Sequence, residues 1–193
     1  MLTPWGYEVD NLPPLVTVDD YAAMTGSGID TATESALDAA SAAIRNLCGW
    51  HVAPNIECRA ELTAEGRLVR IPARLLTAVH SVEDGGAVLA DGEFEAHSNG
   101  LLRRTCFKSW AKGWQAVKVD YHAGYDVAVC PDLLDIVVRI ADGVASIPMG
   151  VASETAGDVS ISYSATASAV AAQQALAYAP ALRQYSLVGA HAA

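Results

Sequence analysis

Two kinds of hydrophobic periodicity share this chain, and the boundary between them limits what it can fold into. Up to Pro54 and again after Pro131, apolar residues recur every third and fourth position. Between about residues 55 and 122 they alternate with polar ones. The first spacing paints one face of an α-helix, the second one face of a half-buried strand, and neither pattern fits the other element. The expected fold class is therefore α+β: a helical bundle of about four helices with an inserted small antiparallel β module.

The helical segments carry their own boundaries. Thr17 is an N-cap for Val18–Met24, with Asp19 and Asp20 in the first turn, where the helix dipole favours acids. A second helix is expected over Thr31–Cys48. Leu37, Ala40, Ile44 and Leu47 form its stripe, small neighbours allow close approach by another helix, and Gly49 suits the C′ position. Pro131-Asp132 opens a third helix with a wide apolar face built from Leu133, Leu134, Ile136, Val137, Val138 and Ile140; Pro148 ends it. A fourth is expected over Ala167–Tyr178.

The alternating region offers strands at Glu57–Thr63, Arg67–Ile71, Val79–Glu83, Ala87–Leu89, Phe94–Ala96, Leu101–Arg104 and Ala116–Tyr121. Turns are marked by Glu65-Gly66, Asp84-Gly85-Gly86, Asp91-Gly92 and Asn99-Gly100. Val159–Ser164 alternates apolar and hydroxyl residues and can form a further strand. Pro4, Pro13 and Pro14 make residues 1–16 read as an extended arm. The resulting division is an arm over 1–16, a helical core over 17–54 and 131–178, a β module over 55–130, and a C-terminal tail over 179–193.

Charge narrows the partners. The 193 residues hold 22 acids against 12 bases, a formal net charge of −10. A protein that grips nucleic acid by its phosphates needs clustered Lys and Arg, so this balance argues against that role; it does not exclude a protein that lets DNA pass, because an acidic wall repels phosphates, and composition alone favours simple solubility. No apolar run reaches the length of a membrane span, and Met1–Glu8 lacks the features of a signal peptide, so a cytoplasmic site of synthesis is expected. Cys48, Cys58, Cys106 and Cys130 are widely spaced and read as small hydrophobes rather than a disulfide or zinc framework.

The search for chemistry yields little. No Walker loop, GxGxxG after a strand, GxSxG or HExxH occurs. His51 follows Cys48 by three residues with the C′ glycine between them, which suits a helix-end histidine better than a metal pair. A spatial pairing of Cys106 with His80 has no support in the local sequence. Glu93 and Glu95 flank Phe94 and read as a solvated strand face. The chain is expected to be no enzyme, with no cofactor and no metal.

What stands out is aromatic and basic. Arg103, Arg104, Lys108 and Lys112 interleave with Phe107, Trp110 and Trp114. Such a mixture suits either single-stranded nucleic acid or a protein contact, the negative net charge favours the latter, and a plain core role for one of the tryptophans is an equal alternative. Arg103, Arg104, Trp110 and Trp114, with Trp5 and Tyr7 at the other end, are therefore candidates for a subunit or tail interface. In the tail, Leu182, Tyr185, Leu187 and Val188 have little to bury them in their own domain and read either as a frayed terminus or as a segment that orders on a partner.

Three stretches, in order, resemble the head-tail connector (adaptor) family of tailed bacteriophages. The first runs from Val16-Thr17-Val18-Asp19-Asp20-Tyr21 to Ile44-Arg45-Asn46-Leu47-Cys48-Gly49, similar to the family's short helix followed by a long Ala-rich one. The second is Val119-Asp120-Tyr121-His122-Ala123-Gly124-Tyr125 followed by Pro131-Asp132-Leu133. It looks like a strand, a Tyr-x-x-Gly-Tyr corner with Gly124 at positive φ, and a Pro-initiated helix. The third is Glu154-Thr155-Ala156-Gly157-Asp158 through Tyr163. The likeness spans roughly residues 15–165; beyond it, this chain ends in Ala and Gln and then an apolar tail, where such chains finish with a charged helix.

The resemblance implies a virion structural protein at the neck, the head-tail junction. It implies a ring under the portal protein, expected to be of twelve copies, a channel that double-stranded DNA crosses without specific binding, and recruitment of a stopper or tail-completion protein. The tail would be the portal-docking segment, so truncation after Pro180 is expected to leave the fold intact and abolish attachment. The alternatives are another neck or tail component, such as a tail terminator or minor tail protein, and a nucleic-acid-binding module built on the Arg103–Trp114 region.

Overall fold

The computed structural model describes residues 1–26, 31–64, 66–146, 153–156, 159–162 and 166–187. Helices and antiparallel strands are both present, so the class is mixed α+β. The chain divides into two compact units. One comprises Met1–Pro13, Cys48–Asp126 and the chain from Tyr185; the other comprises Pro14–Leu47 and Val127–Gln184.

The first unit is built on β-structure. Its strands are β1 (Tyr7–Val9), β2 (Ile56–Leu62), β3 (Leu68–Arg70), β4 (Leu76–Asp84), β5 (Ala87–Val88), β6 (Phe94–His97), β7 (Leu101–Arg104) and β8 (Val117–Ala123). Five form a sheet in the order β1-β2-β8-β4-β5, and three form a second sheet in the order β3-β7-β6. Alternation sets the register: Val117, Val119, Tyr121 and Ala123 are buried on β8, beside Cys58 and Ala60 on β2. Lys118 and Asp120 point the other way, where Lys118 meets Glu61 at 3.8 Å and Asp120 meets Arg59 at 2.5 Å.

The expected strands fall within about three residues of these, and the N-terminal arm is the exception. Rather than a separate extended segment, it turns at Gly6 (φ 84°) and adds β1 to the sheet edge, pairing Tyr7 with Ala60 and Val9 with Cys58. The reason is a buried polar network. His51 Nε2 lies 2.9 Å from the carbonyl of Ala123, which can only accept, so Nε2 carries the proton and Nδ1 accepts from the Tyr7 hydroxyl at 2.7 Å. The same hydroxyl accepts from the His51 N–H at 2.9 Å. His51 is thus a structural keystone, in place of a bare helix-end histidine.

The corner after β8 is tight. Gly124 takes φ 121°, and a Cβ there would lie 2.2 Å from the Pro54 carbonyl oxygen. Its neighbour Tyr125 donates its N–H to the Val52 carbonyl at 2.8 Å. Glycine is required at this position both for its φ and for the space.

The C-terminal segment also departs from expectation. Tyr185 is only 5 % exposed, packs edge-on against Tyr125 at 5.0 Å, and accepts from Trp50 Nε1 through its carbonyl at 2.6 Å. Leu187 donates its N–H to the Cys48 carbonyl at 2.8 Å, one of the last acceptors a helix end leaves open. This segment belongs to the body of its unit instead of waiting for a partner.

The second unit holds α1 (Val18–Thr25), α2 (Thr31–Cys48, whose last residue reaches the first unit), α3 (Pro131–Ala145), the antiparallel pair β9 (Ser153–Ala156) and β10 (Val159–Ser162), α4 (Ala167–Ala177) and α5 (Ala179–Leu182). The Thr17 side chain caps α1 by accepting from Asp20 N–H, and Gly26 closes it in the left-handed region. On α2, Ala36, Leu37, Ala40, Ala43 and Ile44 are buried; on α3, Leu133, Ile136, Val137, Ile140, Ala141 and Val144 are. The stripes read from sequence are therefore the core faces. Helix α4 packs on α3 where Gly143 leaves room for the Gln174 amide. The Tyr21 hydroxyl donates to Asp142. Pro180 lies in the first turn of α5, where its missing N–H costs nothing. Leu182 is then 1 % exposed. The Gly157 turn and Val188 lie outside the described residues.

Candidate interaction surface

The loop joining β7 to β8 carries the basic and aromatic residues, and its two limbs are pinned by buried polar contacts. Arg104 ends β7 with its side chain 8 % exposed, 3.5 Å from the equally buried Asp84 carboxylate, and its guanidinium sits 5.5 Å from the Trp110 ring centre. Asp84 also accepts from the Ala111 N–H at 2.7 Å. Trp110 is buried and donates Nε1 to the Arg67 carbonyl at 3.0 Å. On the return limb, Gln115 N–H reaches the Thr63 hydroxyl at 3.0 Å, and Gly85 N–H reaches the Ala116 carbonyl at 2.9 Å.

These anchors hold three non-glycine residues at positive φ: Cys106 at 52°, Phe107 at 59° and Gln115 at 51°. Such conformations cost about 1–3 kcal/mol each and persist only where surroundings enforce them. What they present is apolar. Phe107 is 89 % exposed and Trp114 83 % exposed. The Arg67 guanidinium stacks 4.9 Å from the Phe107 ring centre. Lys108 bonds Glu93 at 3.0 Å and Arg103 bonds Glu95 at 2.5 Å, so both carboxylates expected on a solvated face are engaged in surface ion pairs. Lysine and the Ala90 N–H together hold the Glu93 carboxyl below the usual range.

The structure sorts the candidate interface residues. Trp114 and Arg103 are exposed and available to a partner. Trp110 and Arg104 are not: they are buried as the loop's internal anchor, because the indole N–H and the guanidinium find acceptors within the unit. Tyr7 is buried by its bonds to His51, and Trp5 is half-buried, stacked on Tyr7 at 6.1 Å. Leu182 and Tyr185 are core residues and Leu187 is half-buried, which corrects the reading of these three as free docking groups. Phe107, the most exposed large apolar side chain of the loop, was visible in the sequence only as part of the mixed cluster.

Other constellations stay apart or are satisfied locally. Among the described residues, no group of three or more His, Cys, Asp or Glu is placed to hold a metal ion. His80 lies 2.5 Å from His122, a cross-strand ring contact, instead of serving Cys106. Burial pushes the Cys48 and Cys58 thiols up to about 12, which disfavours their thiolates, whereas Cys106 is exposed on the loop. No described helix is long and apolar enough to cross a membrane.

No family model matches the chain, and no curated protein matches it in sequence. Solved structures share its fold. One is a chain from the neck of a native GTA particle with C12 symmetry: 16% identical, TM-score 0.58, covering 87% of this chain and 93% of that one. Another, from the neck of an empty GTA particle with C6 symmetry, is 18% identical with TM-score 0.56, covering 87% and 94%.

Proposed function

We propose that this chain is a structural subunit of the neck of a tailed-phage-like particle, an adaptor that works by shape and contact and carries out no chemistry. The observation that supports this most is the extent of the fold likeness. It takes in 87% of this chain and 93% of a neck-particle chain, so helices and sheets correspond together. A small β module alone recurs in many unrelated proteins and would carry far less weight. The ordered sequence motifs over residues 15–165 point the same way.

In this reading, copies assemble into a ring beneath the portal, twelve where the portal is twelve-fold, through heterologous contacts that close by rotation. C12 and C6 symmetry in the neck particles that share the fold supports a ring. The ring extends the channel for genome packaging and ejection and recruits the stopper or tail-completion protein. Its net charge of −10 suits a wall that DNA passes without sticking. The test is direct: purified chain is mixed with purified portal rings and the complex weighed by native mass spectrometry. The expected mass is one portal ring plus one copy of this chain per portal subunit. A portal ring that gains no mass at micromolar chain concentration overturns the adaptor assignment.

A further inference from the structure

The loop's exposed aromatics need a surface to cover them, and the charge distribution supplies a candidate. Residues 65–116 hold seven Lys/Arg against six Asp/Glu, a net of +1, so the remaining residues carry −11. Within the loop itself, residues 105–116 contain Lys108 and Lys112 and no acid. Lys112 has no ion pair among the described residues. The loop is tethered to Asp84 and Gly85 at the end of β4 and to Thr63 just past β2, so it hangs from the end of the five-stranded sheet where β2 and β4 finish and β8 begins.

The β1 edge carries acids. A shallow depression along β1 and β2 is lined by Glu8, Asp10, Glu57 and Asp120, together with Arg59 and the N-terminal Met1. Arg59 bonds Asp120, and the carboxylates of Glu8, Asp10 and Glu57 form no salt bridge among the described residues. With the sheet order β1-β2-β8-β4-β5, three inter-strand spacings, ~14 Å, separate β1 from β4. The basic aromatic projection and the acidic depression are separate patches of one unit, and they fit each other between copies, head to tail. That is the polarity a closing ring requires.

We propose that Phe107, Lys112 and Trp114 of one copy dock onto the Glu8–Asp10–Glu57 depression of the next copy of this chain. The inference rests on the ring reading above and names its contact. Opposite charges set register and encounter, and the Phe107 ring, already stacked on the Arg67 guanidinium, supplies apolar area at little entropic cost beside Trp114.

The native thiol of Cys106, beside Phe107, makes the contact testable. Glu57→Cys protein is assembled into necks and treated with a short bismaleimide. The expected product is a ladder of linked multimers joined from Cys106 to position 57, which the added substitution Cys106→Ser abolishes. In a second arm, Lys112→Glu reduces incorporation about tenfold and the further substitution Glu57→Lys restores it. Links from Cys106 to Cys106, or to another protein, or an absent ladder in necks that contain the chain, overturn the docking and leave the neck reading standing. Absence of the chain from necks overturns both.

Discussion

Replacing Gly124 by alanine should be far more damaging than the same change at Gly86, and the difference can be worked from the structure. Both glycines sit at positive φ, 121° and 89°. At Gly86 a Cβ meets nothing within 4 Å, so Gly86→Ala carries only conformational strain, about 1–2 kcal/mol, offset by up to about 1 kcal/mol from a stiffer unfolded chain. At Gly124 the same strain applies, and the Cβ would lie 2.2 Å from the Pro54 oxygen and 2.9 Å from His51 Nε2. An ordinary carbon–oxygen contact is about 3.3 Å, so roughly 1 Å of backbone movement is needed. That movement disturbs the Tyr125 N–H bond to Val52 and the His51 bond to Ala123, each contributing about 1 kcal/mol. Gly124→Ala should therefore cost about 3–5 kcal/mol. In urea titrations followed by tryptophan fluorescence, its midpoint should fall well below that of Gly86→Ala at a similar slope, with melting lowered by roughly 6–20 °C. Equal costs for the two variants, within about 0.5 kcal/mol, would refute the packing of this corner.

Two buried tyrosines should respond in opposite directions. Tyr7→Phe removes the hydroxyl that the His51 N–H and Nδ1 both bond and should cost about 2 kcal/mol, whereas the Tyr121 hydroxyl is buried with no hydrogen-bond partner among the described residues, so Tyr121→Phe should be neutral or stabilise by up to about 1 kcal/mol in urea titrations. Truncation after Pro180 removes Leu182 and Tyr185 from the core and should destabilise by about 3–5 kcal/mol in the same titrations. The Arg59 side chain holds the Asp120 carboxyl below its ordinary value, so its stabilisation is present above about pH 4 and fades as pH falls below that. The pair is partly exposed, so Asp120→Asn should cost under about 1 kcal/mol at pH 7, and the variant and wild type should converge near pH 2 in acid-dependent urea titrations. A gap that widens in acid contradicts the assigned pairing.

How much of this was readable in advance depends on how local each determinant is. The helix stripes of α2 and α3 are repeated many times within one segment, so Leu37, Ile44, Leu133 and Ile140 were identifiable as core residues from spacing alone. Strands of the β module were legible for the same reason, with turns set by Gly85-Gly86 and Asn99-Gly100. Strand β1 was not: three residues between prolines hold no period, and what orders them is His51, 44 positions away. The tail failed likewise, since the partners of Tyr185 are Trp50 and Tyr125. Trp110 and Trp114 look alike in sequence. One is buried and the other exposed because a carbonyl at Arg67, a distant residue, receives the Trp110 indole N–H.

The neck assignment itself is most directly tested by electron cryo-microscopy of intact particles carrying this chain, refined with the symmetry of the portal. The account predicts density for one closed ring of this fold immediately below the portal, with the 105–116 loop of each copy against its neighbour. Particles with complete tails and no such ring, or this chain found only in the capsid shell or the tail tip, would contradict it.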